Sequence, residues 1–519
     1  MRSIHFTEEH DAFRREVRRY VTREVAPHAN EWEAAGRIPR DAFVRMGDLG
    51  FLGITAPEEL GGTGADVFYA VAFLEELPRS LMGGFCAAVS VQQFMATPHI
   101  ERAGSDALKR RYLAPSIQGR KVGALAITEP DTGSDVASIR TSARRDGDSF
   151  VVSGSKTFIT NGAEGDFFTT AVRTGSEPDA SGISLLVIDA DTPGVRVASR
   201  LAKLGWHSSD TAELVFDNAR VPAENLIGEE GSGFHQIMES FALERLCAAV
   251  IAVGSADVAL EETLRYMSER KAFGKPLNRF QALRHRLADL AAELEAARQL
   301  AYHTAWLMQR GDQAVRESAM AKLVCTELGK RVADECLQMF GGYGFMEEYA
   351  VARFYRDARG GTITAGTSEI MREIIARVTI DEFQPPPTGM VAKERPATRQ
   401  EVGERVDERP AESATLEQVM QSLVGRVRPE KITDWNGVFH FTFDGAQKPQ
   451  WTMQVLDGCC QVDEGHHGEA DCTLKTKEKT FVGIQTGSVN PEAAFMMGKI
   501  KVTNLPMMIR FVQAFRSLQ

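Results

Sequence analysis

Apolar residues recur at helical spacing through roughly the first 120 positions of the chain. Thr7 is a plausible helix N-cap, followed by acids at Glu8 and Glu9. Phe13, Val17, Tyr20 and Val25 then form an amphipathic face. The glycine-rich "PEELGGTGAD" at Pro57–Asp66 reads as a loop. Over 121–228 the rhythm shortens to the β period. The runs "SFVVSG", "DFFTTAVRT", "GISLLVI" and "AELVFDNARV" are parted by Gly, Asp, Asn and Pro, the pattern of an antiparallel sandwich or barrel. Helical spacing returns over 229–382. Phe280, Leu283, Leu287, Leu290, Leu294 and Ala297 share one stripe, and Met320, Leu323, Leu328, Val332 and Cys336 another, which predicts a helix bundle with width left over for subunit contacts. Residues 383–413 are rich in proline and mixed charge and read as a linker. From 414 to 519 a helical "LEQVMQSLVGRV" precedes alternating runs such as "VFHFTFDG" and "WTMQVLDG", which predicts a small α+β domain.

At 519 residues the chain exceeds what one core usually serves. Its 43% hydrophobic and 25% charged residues are ordinary for a globular protein, and a net charge of -11 argues against nucleic acid as the main partner. Seven cysteines form no C-x-x-C pair and read as reduced, buried thiols. His466 and His467 lie near Cys459 and Cys460, but the spacing fits no zinc pattern, so no metal is expected. The first residues lack the apolar core of a signal peptide and no run reaches membrane-span length, so the default expectation is a cytoplasmic protein.

Three stretches carry chemistry. "LAITEPDTGSD", Leu125–Asp135, combines hydroxyls, acids and Gly133 in a loop that can offer N–H groups to a polar ring or phosphate. In "KTFITNG", Phe158 and Thr160 share one strand face, either an aromatic to cover a planar group with a hydroxyl for its edge or, the reading the residues alone favour, a core phenylalanine with a satisfied threonine. In "GFHQIMESFALERLCAAVIAVG", Ile237, Phe241, Glu244, Ala248 and Ile251 recur every three or four residues, which puts the Glu244 carboxylate in an apolar seam. A buried carboxylate marks a partner or a function. The alternatives are a half-exposed side chain or a pair with Arg245.

Together with "SERKAFGKPLNRFQ", "QMFGGYGF" and "AGTSEIMREI", these stretches make residues 5–382 resemble the acyl-CoA dehydrogenase family. Thr132 is a small departure from the first signature, and Phe158 stands where a tryptophan is usual. The resemblance implies helical, β-barrel and four-helix-bundle domains and an FAD cofactor. It also implies a homotetramer or homodimer, an acyl-CoA substrate and an electron-transfer flavoprotein as acceptor. Leu125, Ile127, Thr128, Gly133, Ser134, Phe158, Ile159 and Thr160 would hold the isoalloxazine. Arg270 would lie by the diphosphate of a neighbouring subunit's FAD, Phe273 would also bind the cofactor, and Gln281, Gln338, Gly341 and Gly342 would lie by the adenine end. Thr367, Ser368 and Glu369 would also contact the cofactor. Ser134, Phe241, Arg245, Ala365 and Gly366 would border substrate. His235 either borders the CoA channel or is an ordinary exposed histidine.

Many family members carry their catalytic glutamate where this chain has Ala365, which cannot take a proton. The long-chain and isovaleryl types use a glutamate on an earlier helix, at the position of Glu244 in "LER". That makes Glu244 the expected base and the Ala365 N–H a candidate donor to the thioester oxygen. The C-terminal "VNPEAAFMMGKIKVTNLPMMIRF" resembles the sterol carrier protein 2 family, implying a lipid or sterol pocket for which Met496, Met497, Met507 and Met508 suit an adaptable lining. The sequence thus reads as a long-chain or branched acyl-CoA dehydrogenase fused to a lipid-binding module. An oxygen-using acyl-CoA oxidase and an inactive lipid-binding scaffold subunit remain as alternatives.

Overall fold

Thr7 starts the first helix, α1 (Glu8–Tyr20), through a reciprocal cap. Its hydroxyl accepts from the His10 N–H, while His10 Nδ1 accepts from the Thr7 N–H at 3.0 Å. His10 Nε2 then meets Asp66, the N-cap of α2 (Val67–Glu76). The computed structural model describes residues 4–175, 180–382, 415–427, 436–456, 459–485, 494, 499–504, 507–508, 511 and 514–515. The linker expected at 383–413 lies outside these residues, as do Met496 and Met497. Two units are distinguished, Met1–Phe383 and Gln384–Gln519.

In the first unit the N-terminal helices, among them the short α3 (Pro98–Ala103), lead into an eight-stranded sheet. Its strands are β1 (Gly123–Ala126), β2 (Ser142–Asp146), β3 (Ser149–Thr160), β4 (Phe167–Arg173), β5 (Ile183–Asp189), β6 (Val195–Arg200), β7 (Thr211–Pro222) and β8 (Leu226–Ile227). Their order is β6-β7-β3-β2-β4-β5-β8, with β1 pairing parallel to β4. Most other pairs are antiparallel, as the short alternating runs predict, but β2 also meets β4 in parallel at Ser142 and Arg173. Four long helices follow, α4 (Gly233–Glu269), α5 (Gln281–Gln309), α6 (Val315–Phe340) and, after a turn, α7 (Ala350–Gly361), and then α8 (Ser368–Glu382).

The expected stripes are only partly the observed core. Leu290, Leu294 and Ala297 of α5 are buried, whereas Leu283 and Leu287 are half-buried. On α6 the buried face runs through Ser318, Ala321, Lys322, Cys325, Leu328, Val332 and Cys336, leaving Met320 and Leu323 half-buried.

Polar contacts join the three layers of this unit. Glu75 of α2 takes Arg14 of α1 at 2.5 Å and Arg298 and Tyr302 of α5 at 3.1 and 2.8 Å. Asp357 of α7 accepts the N–H groups of Gly83 and Trp206 at 2.9 and 2.6 Å, tying the N-terminal helices and the β layer to the bundle. Gly83 and Gly360 lie so close to the Trp206 ring that a Cβ at either would clash, which accounts for both glycines.

The second unit has its own core. Helix α9 (Leu416–Arg426), capped by Thr415, lies with a five-stranded sheet of β9 (Gly437–Asp444), β10 (Gln450–Leu456), β11 (Cys459–Glu464), β12 (Cys472–Lys477) and β13 (Ile500–Val502). The order is β11-β10-β9-β12-β13, with β9 and β12 parallel. Phe439, Phe441, Phe443, Phe481 and Phe511 pack at the centre, with Met507 and Met508 against them. The His440 and His466 rings stack at 4.3 Å and each places Nε2 on a backbone carbonyl, while His467 does the same. Among the described residues no group of three or more His, Cys, Asp or Glu is placed to hold a metal.

Candidate active site

The loop after β1 is built by a buried ion pair. Glu129 and Thr132 exchange backbone hydrogen bonds, closing the turn. The Glu129 carboxylate accepts the N–H groups of Arg140 and Thr141 at 2.7 and 2.8 Å and the Lys156 Nζ at 2.8 Å. Lys156 also donates to the Ile127 carbonyl at 2.9 Å, and the Thr157 N–H to that of Thr128. Glu129 stays below the usual carboxylate range, because Lys156 and the two N–H groups outweigh its burial. Burial lowers Lys156 to about 8, which leaves it protonated at neutral pH. The two stretches read separately in the sequence are therefore one structure. Neither Glu129 nor Lys156 was singled out from sequence; Lys156 stands between Ser155 and Thr157, so nothing next to it marks it as buried.

Phe158 does not follow simple strand alternation. The β3–β7 register shifts between Lys156 and Ile159, and Phe158 sits at φ +59° with its ring 69% exposed. A left-handed aromatic is strained and persists only where its surroundings fix it. The bulge turns Phe158 outward while Ile159 is buried and Thr160 half-buried. In the adjoining loop Ile127 is buried, Leu125 and Thr128 are half-buried, and Gly133 and Ser134 are exposed.

Ile127 shares a core cluster with Ile237 of α4, and Leu125 and Phe241 pack against that cluster. This sets the loop beside the helix that carries Glu244. Glu244 is 5% exposed, and its Oε1 has no hydrogen-bond partner among the described residues. Burial pushes its carboxyl up to about 7, against the pull of Arg245 and Arg102. The expected alternative of a hydrogen-bonded pair with Arg245 is absent among the described residues. Arg245 acts on Glu244 only through space, its Nε has no partner, and its guanidinium lies over the Phe241 ring at 5.5 Å. Arg102 donates to Ser240, one turn before Glu244, at 3.2 Å. The seam is broader than the sequence stripe. Phe241, Ala248 and Ile251 are half-buried, while Leu246, Cys247, Ala249 and Val250 are buried, so α4 packs on most sides. His235 lies on the exposed side of α4, 3.1 Å from Glu239.

Ala365 and Gly366 form the turn into α8, at φ +53° and +89°. The turn is pinned by the Ile363 and Thr364 N–H groups on the Gly360 carbonyl and by the Ser368 N–H on that of Thr362. Ser368 also donates to Glu327 at 2.7 Å, Thr367 accepts the Ile370 N–H, and Glu369 is exposed. Lys322 donates from α6 to the Gly366 carbonyl.

Arg270, Phe273, Gln281, Gln338, Gly341 and Gly342 all lie exposed on the single chain. Arg270 reaches within 5.4 Å of the Tyr343 ring, which joins its segment to the Gly341–Gly342 turn. Phe273, at φ +50°, is 95% exposed, with its ring 6.3 Å from that of Phe280. A Cβ at Gly342 would meet nothing within 4 Å, and one at Gly133 would make only ordinary contact. Neither has the backbone conformation that reserves a place for glycine. Packing within this chain does not require these two glycines, whereas close approach of a large planar or phosphorylated group does.

Helices flanking a β layer, with the buried Glu244 on a helix that packs against the loop after β1, fit the resemblance read from the sequence. Comparisons with known proteins agree. Residues 7–120, 124–219 and 231–380 match the N-terminal, middle and C-terminal domains of acyl-CoA dehydrogenases, and residues 416–515 match the SCP-2 sterol transfer family. The mitochondrial long-chain specific acyl-CoA dehydrogenase of Sus scrofa is 38% identical, over 73% of this chain and 88% of its own. A crystal structure of a probable acyl-CoA dehydrogenase from Mycobacterium abscessus is 45% identical at a TM-score of 0.70, covering 72% of this chain and 99% of that one. Butyryl-CoA dehydrogenase from Megasphaera elsdenii is 33% identical at a TM-score of 0.70, over 73% and 100%. The chain belongs to the acyl-CoA dehydrogenase family, enzymes that oxidise CH–CH bonds with FAD, and carries a C-terminal SCP2 domain.

Proposed function

We propose that this enzyme removes the α-proton of a long-chain or branched acyl-CoA with Glu244 and yields the trans-2-enoyl-CoA. The observation that carries the reading is the buried Glu244 carboxyl, whose Oε1 has no hydrogen-bond partner among the described residues, in a chain whose other candidate position is Ala365. An α-proton of a thioester is weakly acidic, and it leaves only if charge on the carbonyl oxygen is stabilised as it develops. The Ala365 N–H is the candidate donor. A base raised toward working pH takes the proton more readily than a solvated carboxylate would. Bound FAD supplies the acceptor for the hydride leaving Cβ. The loop around Thr128 and Ser134, with Phe158 and Thr160, would hold the ring. Arg270 and the Gly341–Gly342 turn would meet the diphosphate and adenine of FAD bound in a homo-oligomer.

The chain-length reading rests on the likeness to long-chain relatives and on the lipid-binding type of the C-terminal domain. An electron-transfer flavoprotein is the proposed acceptor, and stopped-flow reoxidation with and without such a protein, in air and in its absence, separates it from oxygen. The test of the base is anaerobic bleaching of the bound flavin across a panel of acyl-CoAs. Glu244→Gln should retain FAD and bind ligand yet bleach about 10²–10⁴-fold more slowly. Bleaching at the wild-type rate would move the base elsewhere.

A further inference from the structure

Lys322 is a fully buried lysine on the core face of α6, where the neighbouring turns carry Ser318, Cys325 and Thr326. Burying an ammonium costs several kcal/mol unless it is well partnered. Among the described residues its side chain makes one hydrogen bond, to the Gly366 carbonyl, and no ion pair within 4 Å. A Leu or Met would fill the same space without that cost, so packing alone does not explain the residue.

Its partner explains it better. Ala365 and Gly366 are consecutive left-handed residues, and a left-handed alanine costs roughly 1–2 kcal/mol. Such a backbone holds only where several contacts fix it. The bonds to Gly360 and Thr362 fix the two ends of the turn. Lys322 alone among these contacts grips the middle, at the carbonyl next to the Ala365–Gly366 link. Burial lowers Lys322 to about 8, with the Glu327 and Glu369 carboxylates holding its charge and Arg245, which also acts on Glu244, repelling it.

We propose that Lys322 is a positioning residue that aims the Ala365 N–H and places a positive charge behind it, so that both act on the thioester oxygen as it gains charge. This rests on the reading that the Ala365 N–H faces that oxygen. Lys322 touches neither substrate nor cofactor in this scheme. It works through the Gly366 peptide.

The test uses the full-length holoenzyme and a β-ketoacyl-CoA as probe. That ligand has an acidic α-carbon, so its bound ionisation reports stabilisation of the oxyanion without turnover. Ultraviolet absorbance against pH gives its apparent pKa on the enzyme, and steady-state kinetics with an oxidisable acyl-CoA give kcat and KM. Lys322→Met should raise the apparent pKa of the bound probe by about one unit, equal to about tenfold in the ionisation constant, and lower kcat with KM nearly unchanged. Lys322→Arg, which keeps the charge, should shift it by less than half as much. If Lys322→Met yields no folded flavoprotein, Lys322→Gln takes its place with the same direction expected. An unshifted pKa in the neutral variant, or equal shifts in the neutral and Arg variants, overturns the proposal and leaves the site reading standing. A wild-type enzyme that binds the probe without lowering its pKa below the solution value overturns the site reading, and this proposal with it.

Discussion

Glu244 holds its carboxyl where the neutral form is favoured, and that has two separable consequences. The first is kinetic. In the free enzyme the proposed base must ionise before it can accept a proton, so kcat/KM for a soluble acyl-CoA should rise with pH through about 7 and level off above it. A profile that levels off near 4.5, the ordinary glutamate value, would place the base in water. The second is thermodynamic. A folded-state value above the unfolded one means the neutral carboxyl gives its full stability below about 4.5. That stability is lost as pH rises through the folded value near 7. Glu244→Gln stays neutral throughout. Its melting temperature should match the wild type near the acid end and exceed it increasingly up to pH 7, by up to about 3 kcal/mol in stability. Thermal melts of both proteins from pH 5 to 8.5 test this, and parallel curves would count against a buried carboxyl. Arg102 and Arg245 oppose the shift, so replacing Arg102 with Met should move the kinetic profile further upward.

The loop from Ile127 to Ser134 depends on β3 more than on its own sequence. Its glutamate faces inward to Lys156, and breaking a buried pair by removing one partner typically costs about 3–5 kcal/mol. Lys156→Met should therefore destabilise the holoenzyme by about that amount and loosen FAD, read from melting temperature and from flavin released on dilution. Replacing both partners, as Glu129→Gln with Lys156→Met, should recover part of the loss. A Lys156→Met variant of unchanged stability and flavin content would show that the pair does not hold the loop. This element also shows what periodicity can read. The alternation of β3 was legible, and it favoured a core position for Phe158, which is instead exposed. The bulge that turns it outward was not legible, because a register shift is set by pairing with β7, a strand some fifty residues away. Glu244 was found because its spacing put a charge among apolar residues. Lys322 obeys the same rule, on the α6 face shared with Cys325 and Cys336, and was missed because the stripe was drawn through Met320 and Leu323 instead. The turn that Lys322 grips was recognised only as a motif. Its left-handed backbone at Ala365 leaves no mark in the sequence, since alanine has no preference for that conformation.

The hydrophobic cores of the two units have no residue in common: among the described residues three clusters lie in Met1–Phe383 and one in Gln384–Gln519. The sequence predicts this division, through the loss of apolar periodicity before residue 414 and its return afterwards. A domain with its own core and sheet can keep its fold when its neighbour is removed. The Glu244 helix, the Ile127–Ser134 loop and the Ala365 turn all belong to Met1–Phe383. Chemistry on a freely soluble substrate should therefore not need the SCP2 unit. Delivery is a different matter. A tethered lipid-binding domain raises the local concentration of a poorly soluble acyl group only when that group is scarce in solution. Ending the chain after Asp381 should leave kcat/KM for a short acyl-CoA within about twofold of wild type, since no residue of the proposed site is lost. For a long-chain acyl-CoA supplied at limiting amounts from vesicles, the same truncation should slow turnover several-fold, and adding the SCP2 unit as a separate protein should restore little of it. The informative comparison is between the two substrates within each protein, because it cancels any general loss of activity. Equal ratios in the full and shortened chains would remove the delivery role. A fall for the short substrate as large as that for the long one would mean that the C-terminal unit supports the catalytic fold itself.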